Sequence, residues 1–159
     1  MVKLNLSSQI VLNKVPEEFY HPKTAVELSE LTRCEKLPTT IFPKTEEGAL
    51  SIATTIANAI RQKQQSGQYC VLGLGTGSSL TPVFNELIRL HKEEKLSFSN
   101  VVVFNAYEYF PLQPSAKNST LNQLKERLLN HIDINPQNVF TLEGTVPQER
   151  VQESCRLYE

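Results

Sequence analysis

Two short segments hold the residues that could do chemistry. The first is Leu72-Gly73-Leu74-Gly75-Thr76-Gly77-Ser78-Ser79, which joins a short apolar run to a helical pattern. Glycines at such a junction let the backbone approach a ligand, and successive amides ahead of a helix N-terminus favour an anion. Thr76, Ser78 and Ser79 add hydroxyl donors. No lysine follows the glycines, so this is not a nucleotide P-loop, and G-x-G-x-G departs from the dinucleotide spacing G-x-G-x-x-G. The segment reads as a phosphate-binding turn, with a plain tight turn as the alternative. The second segment, Phe104-Asn105-Ala106-Tyr107-Glu108-Tyr109, follows the next apolar run. It is expected to open into the same crevice, since open α/β sheets bind ligands beyond the carboxyl ends of their strands. Asn105, Glu108 and the two phenols form a ligand-facing set there. The alternative is a polar turn whose aromatics pack beneath a neighbouring helix.

Other reactive side chains are isolated. His91 and His131 fall near helix ends, where an imidazolium suits the helix dipole, and His21 precedes a proline. No two histidines have metal-ligand spacing, so no metal is expected. Cys34, Cys70 and Cys155 lie far apart, a sparse and odd count that reads as reduced thiols in the cytoplasm. Cys70 suits a strand interior. Lys plus Arg is 16 against 17 Asp plus Glu, a net charge of −1. That balance argues against a nucleic-acid footprint or a polybasic membrane patch. No apolar run reaches the length of about 18 residues that marks a membrane span, and Met1–Ser8 lacks a signal peptide's apolar stretch. The 159 residues, 40% apolar and 21% charged, suit one ordinary domain with a sizeable core.

Residues 1–44 contain Pro16, Pro22, Pro38 and Pro43, four of the nine prolines, and no glycine. They are expected to form an extension around the main domain, with a short helix from Thr24 to about Leu31. From Thr45 the pattern sharpens. Ala49, Ile52, Ala53, Ile56 and Ile60 repeat at helical spacing up to Gly67. Tyr69–Leu74 reads as a buried strand, and Pro82 opens a helix through Val83, Phe84, Leu87, Ile88 and Leu90 to about Glu94. Val101–Phe104 is a second strand, residues 106–118 a loop, and Ser119 caps a helix with the stripe Leu121, Leu124, Leu128 and Leu129. Val139-Phe140 forms a third strand, and Pro147 opens a helix with Val151, Cys155 and Tyr158 on one side. Strands without polar alternation, separated by helices, imply a parallel sheet covered on both faces. The expected fold is α/β, three-layer, doubly wound and Rossmann-like. Three short strands are narrow for that architecture, so residues 45–159 are expected to be the N-terminal part of a domain.

In order and spacing, these segments resemble the glucosamine-6-phosphate deaminase/isomerase family from about Thr45 to Glu159. The resemblance rests on Val71–Ser78, Leu87–Lys92, Leu96-Ser97-Phe98, Val101–Tyr109, His131-Ile132-Asp133-Ile134, Asn138-Val139-Phe140 and Cys155–Glu159. The turn taken alone also resembles that of ribose-5-phosphate isomerase. The family resemblance implies an amino-sugar phosphate substrate, with the phosphate held at Gly75-Thr76-Gly77. It implies ring opening, proton transfer from C2 to C1 and release of ammonia, without a metal or organic cofactor. The family usually has Asp-Glu-Tyr after the Phe-Asn strand end, and that Asp is the base. Here Tyr107 stands in its place, while Glu108 and Tyr109 match, so the resemblance leaves Glu108 as the expected catalytic carboxylate, with Tyr107 at the position of the base. A free Tyr titrates near 10 and a free Asp near 3.9, so a free Tyr is only ~0.1% phenolate at pH 7. Three functions therefore compete: a deaminase/isomerase, a sugar-phosphate sensor or pseudoenzyme that has lost the base, and a sugar-phosphate lactonase on the same fold. The family's later acidic and basic segments have no match among these residues. Residues 1–44 resemble the leader of long family members that continue into a second domain. A homo-oligomer, or contact with a further C-terminal part, is expected to cover what the narrow sheet leaves open.

Overall fold

The computed structural model describes residues 22–33 and 39–159. Residues 1–21 and 34–38, with Pro16, Pro38 and Cys34, lie outside the described residues, as does the side chain of Leu31. The chain separates into two compact units, Met1–Gly48 and Ala49–Glu159. In the first, α1 spans Ala25–Thr32 and begins in a capping box. The Thr24 hydroxyl accepts the Glu27 N–H at 3.1 Å, and the Glu27 carboxylate accepts the Thr24 N–H at 3.3 Å. Such reciprocal bonds satisfy two of the amides that a helix start leaves unpaired.

Helix α2, Thr45–Gln65, begins with Glu46 and Glu47 in its first turn, where acidic charge suits the dipole. It ends at Gly67, whose φ of 64° is left-handed. The Gly67 and Gln68 amides return to the Gln64 and Lys63 carbonyls at 3.0 and 2.9 Å, the bonding of a Schellman cap. The buried stripe of α2 is Ala49, Ala53, Ala57 and Ile60, which corrects the sequence expectation in one place. Ile52 is 49% exposed. At 3.6 residues per turn it sits about a quarter-turn from the middle of the alanine face, and the small alanines let the helix approach closely.

Three parallel strands follow in the order β1-β2-β3: β1 Cys70–Leu74, β2 Val101–Asn105 and β3 Val139–Phe140. Helix α3, Thr81–Glu94, joins β1 to β2, and α4, Thr120–Arg127, lies between β2 and β3. Register pairs Cys70 with Val101, Leu72 with Val103 and Leu74 with Asn105. One sheet face thus carries Cys70, Leu72, Leu74, Val101 and Val103. Cys70, Leu74, Val101 and Val103 form one core with the buried faces of α2, α3 (Val83, Phe84, Leu87, Leu90) and α4 (Leu124). The opposite face presents exposed Val71, Gly73 and Phe140. Helix α5, Val151–Tyr158, comes against it through Tyr158, edge-on to Phe104 at 5.8 Å. The expected parallel α/β sheet is present, with α2, α3 and α4 on one side and α5 reaching the other.

Two local expectations change. Helix α4 stops at Arg127, so Leu128 and Leu129 are buried from its cap and from a following 3-10 turn, Leu129–His131, instead of from a longer helix. Cys155 is exposed, because Val151, Ser154 and Tyr158 form the half-buried side of α5. Among the described residues no helix is long and apolar enough to cross a membrane.

Candidate functional site

Strands β1 and β2 end in register at Leu74 and Asn105. The Ala106 N–H still donates to the Leu74 carbonyl at 2.8 Å, so the two following segments leave the sheet side by side. After Leu74 the backbone is irregular over residues 75–77. A 3-10 turn, Ser78–Leu80, then leads into α3, with Pro82 in its first turn. Thr76 is buried, whereas Gly77, Ser78 and Ser79 are exposed. The Gly77 carbonyl accepts the Leu80 N–H at 2.9 Å, and the Thr76 carbonyl accepts Arg127 Nη1 at 2.6 Å. No acceptor among the described residues takes the amides of Thr76, Gly77, Ser78 or Ser79. Unpaired amides crowded at a helix entrance are groups that an anion satisfies.

Tyr107 stands over this turn. Its ring carbon lies 3.5 Å from where a Cβ on Gly75 would be, so the ring packs against the turn at Gly75. Tyr107 is 40% exposed and meets Tyr109 edge-on at 5.9 Å.

Glu108 is used differently. One carboxylate oxygen accepts the Tyr109 and Thr120 amides at 2.9 and 3.0 Å. The other accepts the Ser119 hydroxyl at 2.8 Å and the Leu121 amide at 3.2 Å. The carboxylate therefore sits on the N-terminus of α4, where Ser119 Oγ also accepts the Asn122 N–H. Burial pushes the Glu108 pKa up, but the Thr120, Tyr109 and Leu121 amides and the Ser119 hydroxyl outweigh it and hold the group below its ordinary value. Hydrogen bonds to the charged form have that effect. A carboxylate so engaged is a strong anchor and a weak proton acceptor.

Asn105 is fully buried. Its Nδ2 donates to Thr120 Oγ1 at 2.7 Å, and that hydroxyl donates to the Tyr107 carbonyl at 2.5 Å. Its Oδ1 is buried without a partner among the described residues. The side chain thus braces the Tyr107 backbone from below.

Three further residues, which the sequence did not mark as site residues, shape the site. Arg127 reaches back 51 positions to the turn, and only its lack of an acidic residue three or four positions earlier on the helix hints at a task elsewhere. The Tyr158 phenol lies 3.0 Å from the Asn105 carbonyl and 2.9 Å from the Phe140 carbonyl, and shares its one proton between the ends of β2 and β3. Gly144 has no room for a side chain: a Cβ there would lie 2.6 Å from the Leu112 carbonyl oxygen and 2.8 Å from that of Tyr109. Its own carbonyl accepts the Leu112 N–H at 2.9 Å, which ties the Tyr109–Leu112 stretch, just after Tyr107 and Glu108, to residue 144. The histidines serve helix ends: His131 Nε2 contacts the Glu126 carbonyl at 2.9 Å, and His91 Nδ1 contacts the Leu96 carbonyl at 2.7 Å.

The geometry defines an α/β domain with its candidate site at the carboxyl ends of parallel strands. Residues 43–159 match the family described as glucosamine-6-phosphate isomerases/6-phosphogluconolactonase, and the chain belongs to that family. A glucosamine-6-phosphate deaminase-like protein of Bacteroides thetaiotaomicron is 55% identical over 158 residues, covering 99% of this chain and 24% of the relative. Glucosamine-6-phosphate deaminase 2 of Giardia intestinalis is 41% identical over 116 residues, 73% of this chain and 42% of the relative. Among solved structures, a monomeric glucosamine-6-phosphate deaminase superposes with a TM-score of 0.67 at 34% identity, over 73% of this chain and 46% of that one. The 6-phosphogluconolactonase of Trypanosoma brucei, at 19% identity and a TM-score of 0.58 over 77% of this chain and 48% of that one, shares the fold. The chain thus spans about a quarter of the first of these relatives and less than half of the others.

Proposed function

We propose that this chain supplies the phosphate-binding turn and crevice floor of a glucosamine-6-phosphate deaminase/isomerase-like protein acting on an amino-sugar phosphate. The observation that carries the reading is the row of unpartnered amides from Thr76 to Ser79 at the end of β1. Membership of the family adds the sugar. In this reading the phosphate sits on the Thr76–Ser79 amides, with the exposed Ser78 and Ser79 hydroxyls as further donors and Gly75 giving the approach. The sugar then extends past Tyr107. Glu108 and Asn105 work from beneath: Glu108 fixes the start of α4, and Asn105 braces Thr120 and so the Tyr107 carbonyl. No metal or cofactor enters the scheme.

Tyr107 favours a second reading. The family's Asp position holds a phenol packed over the turn, and the neighbouring carboxylate is occupied by four donors. A protein that binds the sugar phosphate and deaminates it weakly, or only senses it, fits these two facts. Ammonia release from glucosamine 6-phosphate by the full-length protein, measured beside binding of the same compound in competition with inorganic phosphate, separates the readings. Turnover at ordinary enzyme rates supports the deaminase. Competitive binding with little ammonia supports the sensor, and the absence of both overturns the phosphate turn itself.

The same proposal treats residues 1–44 as an extension and residues 45–159 as the sugar-phosphate domain. A family match that begins at residue 43 supports this division. The exposed Val71 and Phe140 support a second copy, or a further part of the protein, covering the open sheet face. Unpaired Cys70 and Cys155 fit a cytoplasmic setting.

A further inference from the structure

The geometry points to Arg127 as a positioning residue that sets the direction of the Gly77 amide in the phosphate turn. This inference rests on the proposed phosphate-binding role of residues 76–79. The Thr76 carbonyl and the Gly77 N–H belong to one peptide unit. That unit is planar and trans, so its C=O and N–H point in opposite directions. Arg127 Nη1 holds the Thr76 carbonyl at 2.6 Å from the last turn of α4. The Gly77 N–H must therefore point away from Arg127, and Gly77 lies on the exposed side of the turn. Without that hold, the residue that follows Thr76 is a glycine, whose backbone rotates freely. The peptide could then turn its carbonyl outward and present an oxygen where an anion needs a donor.

The side chain suits this task. Arg127 is half-buried, and among the described residues the Thr76 carbonyl is its one hydrogen-bond partner, with no carboxylate to neutralise it. A charged donor to a carbonyl is stronger than a neutral one. Arg127 itself stands behind the turn and acts through the peptide, so a lysine that reaches the same carbonyl replaces part of its effect.

A double-mutant cycle on the protein tests this, with inorganic phosphate and glucosamine 6-phosphate as probes. Arg127→Gln is expected to weaken binding of both by about 10- to 150-fold, the range for a lost hydrogen bond to a charged group, and Arg127→Lys to recover part of the loss. Gly77→Pro deletes the N–H that Arg127 is said to aim. In that background Arg127→Gln is expected to cost almost nothing further, because neighbours acting through one group do not add. A residue that merely stabilises the fold would show additive losses, and additive losses overturn the inference. So does Arg127→Gln with unchanged phosphate affinity. Should Arg127→Gln fail to fold, the same cycle run with Arg127→Lys decides by the same criterion. If the unmutated protein binds neither probe, the phosphate reading fails and takes this inference with it. If it binds both and only the cycle is additive, the phosphate reading stands alone.

Discussion

Gly77 offers a way to remove one donor from the turn while leaving its shape. Its φ and ψ are −55° and 148°, close to the φ of about −65° that proline imposes. A Cβ there would meet only Ser79 Oγ, at 3.6 Å, an ordinary contact. Gly77→Pro therefore deletes an N–H that the fold does not use and the ligand is proposed to use. A hydrogen bond to a charged group contributes about 1.5–3 kcal/mol, so the dissociation constant for glucosamine 6-phosphate should rise about 10- to 150-fold. Stability should hold or increase by up to about 1 kcal/mol, since proline restricts the unfolded chain more than glycine does. Titration calorimetry gives the first quantity and thermal melts without ligand the second. Gly77→Ala, which keeps the N–H, should bind as the unmutated protein does. Unchanged affinity in Gly77→Pro, with the fold intact, refutes the claim that this amide meets the phosphate.

Glu108→Gln should destabilise the fold by about 1 kcal/mol, the low end for hydrogen bonds to a charged group, because the carboxylate is only half-buried and a Gln amide oxygen keeps some of its donors, as read in denaturant melts. The Glu108 pKa lies below its ordinary value. Its stabilisation is therefore complete above the ordinary glutamate pKa of about 4.3 and is lost as the pH falls through the lower folded value. Glu108→Gln should flatten stability against pH in that acidic window and leave the neutral side parallel to the unmutated protein. If the proposed deaminase reading holds, Tyr107→Asp in the full-length protein should raise ammonia release from glucosamine 6-phosphate. Ionisation alone sets a ceiling of about 10³-fold, and no gain means the phenol does not limit the reaction. Gly144→Ala places a methyl against two backbone carbonyls. It should cost about 1–3 kcal/mol as an overpacked site and weaken sugar-phosphate binding by shifting the Tyr107–Tyr109 loop, whereas wild-type melts and affinity would contradict the tie between the two segments.

The elements that position the site were largely legible because their patterns are local. Val101–Phe104 is an unbroken apolar run, and β2 occupies it, extended by Asn105. Thr81-Pro82 and the 83–84–87–90 spacing define α3, whose buried residues are those four. What was not legible shares one physical origin: it depends on partners distant in sequence. Ile52 fits a helical stripe as well as Ala57 does, and only the packing of α2 on the core separates them. Glu108 reads as a free acid until the start of α4, eleven to thirteen positions later, closes on it. Asn105 reads as ligand-facing until Thr120 is seen to take its Nδ2. Arg127 carries no local signal of its role, since its contact with Thr76 spans 51 positions.

The amides of Thr76–Ser79 are proposed to form an anion site for a sugar phosphate. Backbone amide chemical shifts followed by NMR during titration with glucosamine 6-phosphate test it most directly. Saturable shifts centred on Gly77, Ser78 and Ser79 are expected, reproduced by inorganic phosphate and accompanied by slowed hydrogen exchange at the same amides. Saturation with the largest shifts elsewhere, and residues 76–79 unmoved, would contradict it.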